Sequence, residues 1–160
     1  MGPLDHENLP FFKMAKTGIV RRSLGPERRL SLIDVDDVVD QLILQATSDK
    51  AIGEAFFCTS AETMSVEELM RSVAEYLKYP VKTVPVPQLL LKTLGAAADV
   101  FSNVTGRKLA LNRKLARQLL VPGWVCSNRK AIEVLGFKPK HTVLDSIRRS
   151  ADSYVSAGWL

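Results

Sequence analysis

Few side chains in this 160-residue sequence are equipped for chemistry: two histidines, two cysteines, three tyrosines and a scatter of acids and bases. His6 and His141 have no acidic or cysteine cluster around them at metal-ligand spacing, so no metal site is expected. His141, directly before Thr142, reads as a surface residue. Cys58 and Cys126 lack the Cys-x-x-Cys spacing of zinc and redox sites. Cys58 stands in an apolar run, where a free cysteine behaves as a small hydrophobe, and both are read as reduced thiols of a cytoplasmic protein. Neither a Gly-x-Ser-x-Gly nucleophile elbow nor a phosphate-cradling P-loop occurs. One acid-free basic stretch, Arg107, Lys108, Arg113, Lys114 and Arg117, offers a phosphate-contacting face for a nucleic-acid-binding module. No aromatic platform interleaves those charges, which makes nucleic acid the lesser reading.

The composition around these residues is that of a globular chain, 46% hydrophobic and 24% charged, with a net charge of +5. Such mild basicity is compatible with an anionic ligand such as a nucleotide. Asp5 and Glu7 interrupt any apolar leader. The longest apolar segment, 89–104, contains Lys92 and Asp99 and falls short of a membrane span. The expectation is one soluble domain over 1–160 with no membrane partner.

Short strands and amphipathic helices alternate nearly end to end, which argues for α/β organisation. Leu9 to Thr17 reads as a helix stopped by Gly18, Arg21 to Arg29 as a basic loop around Gly25-Pro26, and Leu30 to Ile33 as a strand. Asp34 caps a helix whose apolar residues Val35, Val38, Val39, Leu42, Ile43 and Ala46 share one face. Asp36 and Asp37 fall in its first turn, where backbone N–H groups and the helix dipole favour carboxylates. Glu54 to Thr59 reads as a strand, and Ser65 with Glu68 as a capping box. Val81 to Val86 is extended, with Pro87 in the first turn of a leucine-rich helix. A basic helix over Asn112 to Leu120 follows, then a short helix capped by Ser127 and closed by Leu135-Gly136. Thr142 and Asp145 open the last helix, with Val143, Ile147, Ala151, Tyr154 and Val155 on its apolar side.

Four stretches together resemble the C-terminal half of the extended short-chain dehydrogenases/reductases, the NAD-dependent epimerase/dehydratase superfamily. Gly2-Pro3-Leu4-Asp5 is similar to the superfamily's Tyr-Gly-Pro turn, with Met1 in place of the aromatic. Leu32-Ile33-Asp34-Val35-Asp36-Asp37-Val38 resembles its I-H-V-x-D-V motif, with Asp34 replacing the histidine. Ser65-Val66-Glu67-Glu68-Leu69 resembles the helix after its Y-N-I strand, and Arg129-Lys130-Ala131 with Leu135-Gly136-Phe137-Lys138-Pro139 resembles its K-A-x-x-x-L-G-F-x-P. The resemblance implies a Rossmann-type enzyme cut to its C-terminal part, with the dinucleotide-binding sheet absent and Met1 at the middle of the parent chain.

In that superfamily NAD or NADP rests on a glycine-rich turn, and a Tyr-x-x-x-Lys pair moves the proton, the lysine lowering the tyrosine's pKa. The sequence has neither: Gly2, Gly18, Gly25 and Gly53 are too widely spaced, and Tyr79-Pro80-Val81-Lys82 has the wrong register. The resemblance therefore implies a substrate-binding portion that neither holds the cofactor tightly nor transfers hydride alone. It would need its Rossmann half in cis or in trans, and its unpaired strands would favour self-association. The nucleotide-sugar branch places an arginine four residues before the histidine of its motif, where this chain has Leu30, with Arg29 one step out of register. The ending Tyr154-Val155-Ser156-Ala157-Gly158-Trp159-Leu160 and the leucine-rich helix look more like the hydroxysteroid dehydrogenase and dihydroflavonol reductase branch. The substrate expected is a carbonyl- or hydroxyl-bearing molecule, favoured over a sugar nucleotide, which stays the alternative within the superfamily, with Asn8, Phe11, Phe12 and Arg29 as its wall. A non-catalytic scaffold is the remaining alternative.

Overall fold

The computed structural model describes residues 1–24, 27–106, 112–118, 120–121 and 123–160. The mixed α/β fold expected from the sequence is present, with its core among three helices. These are α1 (Leu9–Lys16), α3 (Val66–Tyr76) and α7 (Val143–Ser156), which bury Phe12, Leu69, Val73, Val143, Ile147 and Tyr154 against one another. Phe12 and Tyr154 meet edge to face with ring centroids 4.9 Å apart. The Tyr154 hydroxyl donates to the Asp5 carbonyl. Burial, with Asp5 nearby, pushes its phenol up to about 12.

Local chemistry fixes where the helices begin. Ser65 accepts from the Glu68 N–H at 3.1 Å while Glu68 accepts from the Ser65 N–H at 2.7 Å, and Thr142 and Asp145 exchange the same pair of bonds before α7. Asp34 caps α2 (Val35–Thr47) through the Asp36 N–H. Two small sheets accompany the helices. Strand β1 (Ile19–Leu24) runs parallel to β4 (Lys82–Pro87), and β2 (Arg29–Ser31) lies between antiparallel β3 (Thr63–Ser65) and parallel β5 (Gly123–Trp124). Gly18 enters β1 with φ +70°, and a Cβ there would stand 2.2 Å from the Pro80 carbonyl oxygen, so no larger residue fits. The remaining helices are α4 (Gln88–Thr105), α5 (Arg113–Gln118) and α6 (Arg129–Leu135).

Several elements depart from the sequence reading. Residues 21–24 of the stretch read as a basic loop belong instead to strand β1, Ile19–Leu24, because β4 supplies a parallel ladder that the pattern Ile-Val-Arg-Arg-Ser-Leu does not announce. Gly25 and Pro26 lie outside the described residues, as does 107–111 of the basic stretch. Conversely, 54–59 forms no strand: it has apolar β-type residues, but no ladder pairs it with another strand among the described residues. Its backbone oxygens are instead taken by side chains, Gln41 Nε2 donating to the Phe57 carbonyl at 3.3 Å and Asn128 Nδ2 to the Thr59 carbonyl at 2.8 Å. Helix α2 is turned round. Asp37 and Gln41 are its buried residues, whereas Val35, Val39, Leu42 and Ile43 of the apolar stripe face outward. The cap of α6 is Asn128 rather than Ser127, and Pro87 is the residue before α4 rather than within its first turn.

Candidate functional site

A cavity of about 310 Å³ opens between the three-stranded sheet and the helices beside it, lined by Phe11, Arg28, Leu30, Val66, Gln118, Val121 and Trp124. Helix α1 contributes Phe11, the approach to β2 contributes Arg28 and Leu30, α3 contributes Val66, and β5 contributes Trp124. Apart from Arg28 and Gln118 the lining is apolar. Burial pushes the Arg28 guanidinium below its usual pKa, and no carboxylate reaches it among the described residues. A half-buried cation at the edge of an apolar cavity, without an internal partner, is arranged to receive an oxygen or an anionic group from a ligand.

The four expected wall residues separate. Phe11 lines the cavity, while its neighbour Phe12 is fully buried in the core against Tyr154. Adjacent helix positions point about 100° apart, so one phenylalanine serves each purpose. The Asn8 side-chain amide donates to Asp5 before α1. Arg29 turns to the other side of β2: its Nε donates to Thr63 Oγ1 at 2.9 Å and its Nη2 to the Thr63 carbonyl at 2.7 Å, with Glu27 and Glu68 nearby. The cation at the cavity is Arg28, which shares a face with Leu30 by the two-residue strand period. That alternation was present in the sequence, as Leu30 occupies the register position of interest; Val66, Val121 and Trp124 carried no such signal.

The acidic start of α2 has a structural function. Asp37 is fully buried and accepts the Lys140 and His141 backbone N–H groups at 2.8 and 3.1 Å, clamping the segment before α7. The backbone N–H groups it accepts are not those of its own first turn but lie 103 and 104 residues on. His141 is not a free surface residue, since its Nδ1 stands 3.3 Å from Asp37 Oδ1. Asp34, Asp36 and His141 converge as metal ligands would. The Arg149 guanidinium already bonds both carboxylates, to Asp34 at 2.7 Å and to Asp36, so the cluster carries its own cation.

No protein-family model matches the chain. It is 26% identical over 159 residues to a ceramide reductase of Caulobacter vibrioides, covering 99% of this chain and 50% of that protein. Among solved structures, an epimerase of Methanothermobacter thermautotrophicus superimposes with a TM-score of 0.67 at 17% identity, over 99% of this chain and 41% of that one. The UDP-glucuronic acid 4-epimerase of Bacillus cereus, solved with UDP-glucuronic acid and NAD, does so with 0.63 at 12% identity, over 98% and 43%. The chain shares its fold with somewhat less than half of each of these solved epimerase chains. The chain spans half or less of the length of the curated relatives it matches. Among the described residues no glycine-rich turn joins a strand to a helix: Ser65 precedes α3 and Pro87 precedes α4.

Proposed function

We propose that this chain is the substrate-binding portion of an NAD(P)-dependent reductase or epimerase. It takes a carbonyl- or hydroxyl-bearing substrate with an apolar body into the cavity between Phe11 and Trp124. The observation that carries this reading is Arg28, a half-buried cation without an acidic partner beside otherwise mainly apolar walls. The likeness to a ceramide reductase supports a lipid-like or steroid-like body over a sugar. Arg28 itself favours a second reading, a sugar nucleotide whose phosphate it holds, in keeping with the UDP-glucuronic acid bound by one structural neighbour.

The cofactor-bearing half comes from elsewhere, in cis or in trans. Its seat is the outward face of α2 with the unladdered segment 54–59, where Val39, Leu42, Ile43, Ile52 and Phe57 are all about half exposed or more. A strand added beside 54–59 would take up backbone groups that no ladder holds. The chain alone is expected to leave NADH fluorescence unchanged.

Tryptophan fluorescence tests the cavity, with Trp124→Phe as the blank. A steroid ketone should quench the wild type and not the blank, and Arg28→Ala should weaken binding roughly tenfold, the worth of one charge-assisted hydrogen bond. Quenching by UDP alone, abolished by Arg28→Ala, would establish the sugar-nucleotide reading. Silence toward both ligands, in the chain and in its complex with a Rossmann half, would refute the cavity as a substrate site.

A further inference from the structure

Helix α4 is the longest in the structure and the most one-sided in an unusual sense. Its inward residues are small, Gly95 and Ala98, and they seat it against α5. A Cβ on Gly95 would lie 2.7 Å from the Ala116 Cβ, so the two helices approach closely. Its outward residues are large and apolar: Leu89 is 70% exposed, Val100 58% and Val104 81%, with Leu90, Leu94 and Phe101 between 45 and 47%. At 3.6 residues per turn, these six and Ala97 fall within a sector of about 140° in which Thr93 is the one polar residue. Gln88, Lys92, Asp99 and Asn103 occupy the adjoining sector.

The sequence through α4 and α5 is also the basic part of the chain. The segment 88–118 contains six lysines and arginines and a single acid, Asp99, a net of +5. The remainder of the chain has sixteen of each sign, so this segment carries the entire net charge of +5. A groove of about 240 Å³ runs between α4 and α5, lined by Lys92, Ala116, Arg117 and Leu120. Neither Lys92 nor Arg117 is in an ion pair among the described residues. No helix of the described residues is long and apolar enough to cross a membrane.

We propose that the α4–α5 face lies on an anionic lipid bilayer. The Leu89–Val104 stripe enters the headgroup–acyl boundary, and Lys92 and Arg117 hold a lipid phosphate in the groove between the helices. An apolar sector free of charge, beside cations such as Lys92 and Arg117 that no carboxylate pairs among the described residues, is the pattern that seats a helix in the plane of a membrane surface. A nucleic acid would use the cations but leave the stripe in water. A second copy of the chain would bring another +5 against this one. The bilayer satisfies both features at once.

Vesicle flotation of the intact chain tests this. It should float with phosphatidylcholine vesicles containing phosphatidylglycerol and much less with phosphatidylcholine alone. Raising salt should weaken the association, and Lys92→Ala with Arg117→Ala should weaken it about fivefold each. Val100→Glu with Val104→Glu, at positions already in water, should reduce it at least about tenfold with the circular dichroism unchanged. Phe101→Trp gives a readout independent of that pair: its emission should shift to the blue on anionic vesicles and be quenched by bromolipids. Failure to float at low salt would overturn the proposal. So would duplex DNA binding as tight as vesicle binding and indifferent to the glutamates, or self-association that the glutamates dissolve without any vesicle binding.

Discussion

Replacing Asp37 by alanine is the sharpest test of how α2 is held. The side chain is fully buried, and its two oxygens accept the Lys140 and His141 N–H groups at 2.8 and 3.1 Å. Hydrogen bonds to a charged acceptor contribute about 1.5–3 kcal/mol each. Both donors belong to a segment with partial access to water, so solvent recovers some of the loss and the net cost is about 3 kcal/mol. For a chain of this length that corresponds to a melting temperature lower by roughly 6–12 °C. Urea unfolding should show the midpoint moving with the slope unchanged.

The bonds run to backbone, which separates this account from one based on the ion pair. Asp37→Asn keeps the shape and one acceptor and should fall between wild type and alanine. His141→Ala removes the ring 3.3 Å from Asp37 yet leaves the N–H in place, and should cost less than about 1 kcal/mol. A His141→Ala loss as large as that of Asp37→Ala would refute the backbone clamp. So would an Asp37→Ala change below about 0.5 kcal/mol.

Acid titration should expose Asp34. Burial raises its pKa, but the Asp36 N–H, the Ser146 hydroxyl, the Arg149 guanidinium and His141 together hold the carboxyl below its usual value. A folded pKa below the unfolded one stabilises at pH above the unfolded value of about 3.9 and is lost as pH falls through the folded value. The urea midpoint of Asp34→Asn should therefore fall less than that of wild type between pH 6 and pH 3, and parallel curves would contradict this. Gly95→Val should part α4 from α5, because its Cβ would meet Ala116 at 2.7 Å and the Asn112 carbonyl oxygen at 3.2 Å. The expected loss is about 1–3 kcal/mol of thermal stability, and an unchanged melting temperature would refute the close crossing.

What the sequence revealed and what it hid divide along one physical line. The capping boxes at Ser65 and Thr142 were legible because each is closed by residues three apart in the chain. The α1–α3–α7 core was legible because helical periodicity records which face is dry. The same rule failed for α2, whose apolar stripe is exposed while Asp37 and Gln41 point inward. Periodicity reports that a face wants cover, not that this chain supplies it. Strand β1 and segment 54–59 erred in opposite directions for one reason: a strand exists only where a neighbour does, and β4 serves the first while no strand among the described residues pairs with the second. At the cavity, the period of two in β2 distinguishes Arg28 from Arg29 once the strand's inward face is known from Leu30. Trp124 came from β5, 94 residues after Leu30 and reached only through the parallel pairing of the two.

The two exposed apolar faces of the molecule call for different covers, and charge decides between them. Around α2, residues 34–54 hold six acids and one lysine, and the neighbouring segment 54–59 has backbone groups that no ladder takes up. An anionic bilayer would repel that surface and leave those groups unmet, whereas a protein sheet supplies both a strand and donors. Along α4 the signs reverse: the helix satisfies its own backbone, and segment 88–118 has a net sequence charge of +5. Apolar area alone would treat the faces alike, since Leu42 and Val100 are 57% and 58% exposed. Charge and backbone satisfaction set them apart. An acidic-to-neutral exchange at Asp40 on α2, paired in the structure with Lys140, should leave vesicle flotation unchanged. If it raised flotation to the level of the α4–α5 face, the assignment of a protein cover to one face and a lipid cover to the other would fall.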